Sequence, residues 1–381
     1  MQGRNVPSWG GLGRVVRITR VTCNMENRIE EILKARPLPR DDASTGTLLG
    51  HSREGRPVLG HRFGRGPLRV SLLAGCHADE PAGPRLLRHL VSFMAGLEPS
   101  DPLLDRVEWW IVPQANPDGE HRNLGWQLPE GRESLDDAHD VAAFLRGRER
   151  EEPGDDMEFG FPRDPSDHGA RPENRAILQW WRTADGPFHL HVSLHGMAFA
   201  AGPWFLLDPA WVERTEPVRR RLKRAVRDLG YRLHDVEREG EKGFHRIASG
   251  FATRPSSDAM RDHFLEKGDE STAGRFRPNS METIRRLGLE QGADPLTMVT
   301  EVPLFLTPGV GRELGPPDPI AVEWSARIAG WQEELAAGTD TDRIRRAAAE
   351  ARLTGVPLRH QLTLQWACIA AGVALLESQA D

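Results

Sequence analysis

Gly75-Cys-His-Ala-Asp-Glu-Pro81 lies at the junction of two different periodicities. Before it, Pro67-Leu-Arg-Val-Ser-Leu-Leu-Ala74 is a short apolar run with the length and composition of a buried strand. After it, Pro84-Arg-Leu-Leu-Arg-His-Leu-Val-Ser-Phe-Met94 places Leu86, Leu87, Leu90, Val91 and Met94 on one helical stripe. A strand, a glycine and then a helix is the opening of a strand–helix–strand unit. The loop between them sits at a strand's carboxyl end, where ligands bind in α/β sheets. Within that loop His77 and Glu80 are two residues apart, so one turn of chain can aim an imidazole and a carboxylate at one point. The pair by itself reads more readily as a surface histidine beside a helix-capping glutamate.

Outward from this loop the middle of the chain keeps alternating strand-like and helical patterns, which predicts an α/β sheet protein. Val107 to Val112 reads as a second strand, followed by the turn Asn116-Pro-Asp-Gly119. Asn174 to Trp181 reads as a helix, Phe188 to Leu194 as a buried strand, and Val218 to Leu229 as an amphipathic helix whose basic run is its solvated face. The last clear strand spans Pro295 to Phe305. The polar stretches 120–172 and 235–280 lack periodicity, and loops of that length in a compact domain are more often functional than idle.

Two of these strands carry further candidates. Leu190-His-Val-Ser-Leu-His-Gly196 ends in His195, placed like a third metal donor arriving from another strand of the same sheet. His189 and His191 lie further inside that strand and read as core or supporting histidines. In Thr297-Met-Val-Thr-Glu-Val-Pro-Leu-Phe305, Glu301 is a carboxylate in an otherwise apolar strand, costly to bury unless it has a use. A general base is such a use.

Taken in order, these residues resemble the carboxypeptidase A-like zinc carboxypeptidases. The likeness runs from Gly50-His-Ser-Arg-Glu-Gly-Arg-Pro57, similar to the family's G-x-S-x-x-G-R-P, through H-x-x-E, N-P-D-G and the strand ending in L-H, to T-E-x-P at Glu301. The resemblance implies a mixed, mainly parallel sheet of about eight strands with helices on both faces. It implies a single zinc ion held by His77, Glu80 and His195, with Glu301 as general base and Asp156 as the carboxylate that orients the first histidine. It further implies hydrolysis of an amide bond in a peptide or modified peptide, through a water that zinc acidifies toward a pKa of about 7. Arg122, three residues past the N-P-D-G turn, is the candidate for stabilising the oxyanion.

The departures narrow the expectation. Where the family reads N-R-N-F after the aspartate, this chain has Glu158-Phe-Gly-Phe161. The arginine that would grip a terminal carboxylate is therefore Phe159, and an aromatic ring cannot replace a bidentate contact. The site tyrosine is missing too, because the sole tyrosine is Tyr231. Arg163, Arg171, Arg275 and Arg277 in the long loops are candidates to rebuild an anion site. The lost pattern leaves two other activities open: a deacylase of N-acyl amino acids, of the aspartoacylase type, and a non-catalytic binding protein on the same fold.

Composition sets the remaining bounds. Lys and Arg number 50 against 56 Asp and Glu, a net charge of −6 with no block of one sign, which argues against nucleic acid or an anionic membrane as the main partner. Cys23, Cys76 and Cys368 are odd in number and far apart, so no disulfide framework is implied and a reducing, cytoplasmic setting is expected. Residues 1–40 read as an N-terminal extension and short helix, with Met25 an alternative start. Residues 41–315 read as the catalytic domain and 316–381 as a helical C-terminal appendage.

Overall fold

Four apolar runs build the centre of the sheet. The strands β3 (Leu68–Ala74), β4 (Val107–Val112), β5 (Leu190–Ala200) and β9 (Leu296–Leu306) lie parallel in the order β4-β3-β5-β9. Strands covered on both faces need no polar alternation, which is why Val107–Val112 is buried at every position. The computed structural model describes residues 25–40, 44–131, 133–311 and 318–379. The part of the expected N-terminal extension before Met25 lies outside these residues.

The flanks turn antiparallel. On one side β4 pairs with β2 (Pro57–Phe63), and β2 with β1 (Thr47–His51). On the other, β9 pairs antiparallel with β6 (Trp204–Leu207), which continues into β8 (Phe251–Thr253) and β7 (Arg246–Ala248). The short β10 (Thr354–Gly355) joins the far end of β9. The mixed sheet with a parallel centre is as expected, but it has ten strands among the described residues rather than eight. The extra strands are too short to carry a periodicity, and β7 and β8 fall within a stretch that reads as loop.

Helices cover both faces, and the pleat distributes the core between them. Val70, Leu72 and Ala74 face a cluster shared with the helices Ala82–Ala95, Glu216–Asp228 and Leu358–Gln379. Leu73 faces the opposite way, with Trp110 and Val112, onto the helices Pro172–Trp181 and Ser280–Glu290. The C-terminal helices divide between two clusters. The helices Pro319–Ala336 and Thr341–Glu350 do form a satellite cluster, packed on the helix Val141–Gly147 and on Phe199 and Phe305 at the far ends of β5 and β9. The helix Leu358–Gln379 instead returns to the main core, burying Leu362, Leu364, Trp366, Cys368 and Ile369 completely or nearly so. It is buried on most sides, so it lacks the single stripe that marks a surface helix. No helix among the described residues is long and apolar enough to cross a membrane.

Candidate metal centre and cleft

The sheet delivers its chemistry at one edge. The chain leaves β3 at Gly75, whose φ of 73° is left-handed and where a Cβ would stand 1.9 Å from the Gln114 amide oxygen. Only glycine makes that turn, and it swings His77 and Glu80 back over the strand ends. On the neighbouring strand His195 arrives at the same level, and β9 sets Glu301 directly beside it in the parallel register.

The donors converge. His77 Nδ1 lies 2.7 Å from Glu80 Oε1, and His195 Nδ1 lies 3.0 Å from Glu80 Oε2 and 3.2 Å from His77 Nδ1. All three donor groups fall within 4.8 Å of one another. Two imidazole nitrogens face each other across that gap, so a proton or a cation must stand between them. A nitrogen–nitrogen–carboxylate set of this kind suits zinc. The residues present therefore fit the metal. Burial pushes the Glu80 carboxyl up, but attraction from His77 and His195 outweighs it and holds the group well below its ordinary range. Gly196 N–H also donates to Glu80 Oε2 at 3.1 Å.

Behind the donors stand residues that hold them. His195 is fixed from three sides: Glu158 Oε2 is 2.9 Å from its Nε2, Ser193 Oγ is 2.9 Å from the same nitrogen, and its carbonyl accepts from Thr300 Oγ1 and Gln365 Nε2. Gln365 belongs to the C-terminal helix, which thus reaches the metal centre. Burial pushes the adjacent Cys76 thiol up to about 11. Asp156 lines the same cleft as His77, and its Oδ1 accepts from Phe159 N–H at 3.0 Å. Burial raises its carboxyl while the attraction of His77 opposes the rise.

The Asn116-Pro-Asp-Gly119 segment is more than a turn. Asn116 caps the helix Pro117–Asn123, accepting from Gly119 N–H. Asp118 ties that helix to the β1–β2 hairpin, accepting from Ser52 Oγ at 2.6 Å, Arg56 Nη1 at 2.8 Å and Glu54 N–H at 3.0 Å. Two motifs far apart in sequence thereby brace each other.

The arginines sort differently from expectation. Arg122 is engaged by Glu54, Glu149 and Glu151 and does not line the cleft. Arg150 does, with Nη1 at 3.1 Å from Asp79 Oδ1 and 3.3 Å from Glu80 Oε1. Arg163 and Arg277 pair with Asp167, and Arg171 with Glu173. Arg171, Arg275 and Arg277 line a separate recess on the far side of Asp156. Tyr231 is bonded to His360 Nδ1 at 2.6 Å, remote from the cleft. His189 and His191 take structural roles: the first accepts from Arg69 N–H, and the second sits between Ser71 and Ser280.

The cleft itself has a volume of about 270 Å³. It is lined by His77, His195, Glu158 and Glu301, by Phe159, Phe244, Phe276, Met260 and Met281, and by the half-buried Arg238 and Lys242. Burial, reinforced by repulsion from Glu80, pushes the Glu301 carboxyl well above its ordinary range. Sequence reasoning missed Glu158, Arg150, Arg238 and Lys242. Only Glu158 left a trace, an acid alternating with Met157, Phe159 and Phe161.

The model of the zinc carboxypeptidase family matches residues 30–264. The chain belongs to that family. Mouse carboxypeptidase M is 30% identical over 135 residues, which is 34% of this chain and 27% of that protein, so the match spans about a quarter of the relative's length. Among solved structures, a metallo-carboxypeptidase from Burkholderia cenocepacia superposes with a TM-score of 0.45 at 15% identity, covering 89% of this chain and 67% of that one. Carboxypeptidase A from Helicoverpa armigera gives 0.40 at 14% identity over 84% and 72%.

Proposed function

We propose that this zinc carboxypeptidase family member is a zinc-dependent peptidase that cleaves an amide bond of a peptide or modified peptide. The observation that carries the proposal is the meeting of the half-buried His77 with the buried Glu80 and His195, with Glu301 beside His195 on the next strand and facing the same cleft. A zinc ion held by the three donors supplies Lewis acidity, polarising a carbonyl and acidifying water. Glu301 takes the proton from the attacking water and hands it to the departing amine nitrogen. Arg150, held by Asp79, directs its guanidinium into the cleft and offers N–H groups to the oxygen on which charge develops. The aromatic walls keep bulk water away from the reacting carbonyl.

Glu301→Gln tests this role. The expected result is a loss of about 10²- to 10⁴-fold in kcat, with zinc content unchanged by elemental analysis. A variant of near-normal activity sinks the mechanism. Comparing turnover of dipeptides with that of N-acyl amino acids separates a peptidase from a deacylase using the same site.

A further inference from the structure

We infer that Asp79 is a positioning residue that holds Arg150 off the carboxylate of Glu80 and keeps its guanidinium turned to the cleft. This rests on the zinc hydrolase reading above and adds what governs the metal's hold. A buried counter-ion keeps a neighbouring cation from competing with zinc for one of its donors.

The rivalry follows from the distances. Arg150 Nη1 lies 3.3 Å from Glu80 Oε1, the same oxygen that stands 2.7 Å from His77 Nδ1. The carboxylates of Glu80, Asp79, Asp156 and Glu301 all attract this cation, Glu80 most strongly. A guanidinium fully paired with Glu80 would occupy the lone pairs that zinc needs and neutralise the charge that draws the ion.

Asp79 supplies the opposing pull. Its Oδ1 stands 3.1 Å from the same Arg150 Nη1. Its Oδ2 faces Arg148 Nε at 2.8 Å, and the Arg148 guanidinium rests 5.5 Å from the Phe144 ring centroid. The carboxylate is thus anchored through one oxygen and holds Arg150 with the other. Burying it, at 3% exposure, is costly without such pairing, and among the described residues Arg148 and Arg150 are its ion-pair partners.

The chain that carries both arginines is fixed independently. Arg148 leaves the helix Val141–Gly147 in an extended conformation (φ −69°, ψ 128°). Glu149 N–H donates to Asn123 Oδ1 at 3.0 Å, and its carbonyl accepts from Asn123 Nδ2 at 2.9 Å. Glu151 Oε1 accepts from Asn116 Nδ2 at 2.6 Å. Alternate side chains of an extended segment point opposite ways, so Arg148 and Arg150 meet the metal loop while Glu149 and Glu151 meet Arg122. With the backbone pinned, the division of Arg150 between Asp79 and Glu80 is left to the side chains.

Zinc affinity, measured by chelator competition on metal-free wild type, Asp79→Asn, Arg150→Gln and the double variant, provides the test. Asp79→Asn keeps the shape and removes the charge, and is expected to weaken zinc binding about tenfold as Arg150 settles on Glu80. Arg150→Gln should bind zinc at least as tightly as wild type, and in that background Asp79→Asn should cost less than about twofold. Wild-type affinity in Asp79→Asn, or a loss undiminished in the double variant, overturns the inference. So does weaker binding in Arg150→Gln alone, an arm that decides the matter even where Asp79→Asn fails to fold. Hydrolysis is read in parallel. The expected zinc pattern without hydrolysis removes the peptidase assignment and leaves the role of Asp79 standing; hydrolysis with zinc affinity indifferent to these changes does the reverse.

Discussion

Replacing Glu158 by glutamine measures how much of the proposed metal centre's strength comes from behind the three donors. Its Oε2 stands 2.9 Å from His195 Nε2, with both side chains buried. A carboxylate in that place fixes the ring with Nδ1 turned toward His77 and Glu80, and raises the basicity of the coordinating nitrogen. Loss of such a partner typically lowers metal affinity about 10- to 100-fold, or about 1.4 to 2.7 kcal/mol at 1.36 kcal/mol per decade. Two details place glutamine at the low end. The amide keeps the length and a polar atom near Nε2, and Ser193 Oγ remains 2.9 Å from the same nitrogen. About tenfold weaker zinc binding is therefore expected for Glu158→Gln, and about a hundredfold for Glu158→Ala, which removes shape as well as charge. Competition against a chromophoric chelator measures both, with circular dichroism as the control for folding. Zinc affinity within about twofold of wild type in the alanine variant would refute the orienting role.

Further outcomes follow from the same geometry. Arg150→Gln is expected to lower kcat by about a hundredfold, as loss of an oxyanion donor does, whereas Arg122→Gln should leave it nearly unchanged because Arg122 is engaged among the described residues by Glu54, Glu149 and Glu151 and does not line the cleft; steady-state kinetics on one amide substrate compares them. Burial pushes the His139 imidazole down to about 4 from 6.5, so the unfolded chain takes up this proton before the folded one does. Its contribution to stability is intact above 6.5 and falls by about 1.4 kcal/mol per pH unit down to about 4. Urea unfolding of His139→Gln should therefore lose about 2 kcal/mol less between pH 7 and pH 5 than wild type does; equal losses reject the assignment. Trp366→Ala should destabilise the protein by about 3 to 5 kcal/mol, because that ring is 1% exposed in the main core. A cost below about 1 kcal/mol would mean that the last helix is dispensable.

What could be read without the structure was whatever chemistry is local. Leu68–Ala74 and Val107–Val112 betray themselves as central strands because parallel strands are covered on both faces and so read as unbroken apolar runs. His77 and Glu80 are legible because one turn and one glycine suffice to aim them together. His195 and Glu301 are legible because a histidine followed by a glycine, and a carboxylate, each interrupt an apolar strand, although β5 runs on past His195 to Ala200. Tertiary structure alone decided the rest. Glu158, Arg150, Arg238 and Lys242 sit in long polar segments whose residues are placed by contacts with distant elements, so no period marks them. The same holds for Leu358–Gln379, whose Gln365 reaches the His195 carbonyl across 170 positions of chain. The sequence determined which donor groups would meet above the sheet. Which side chains stand behind them, and which cations line the cleft, was decided only when the loops closed over the sheet.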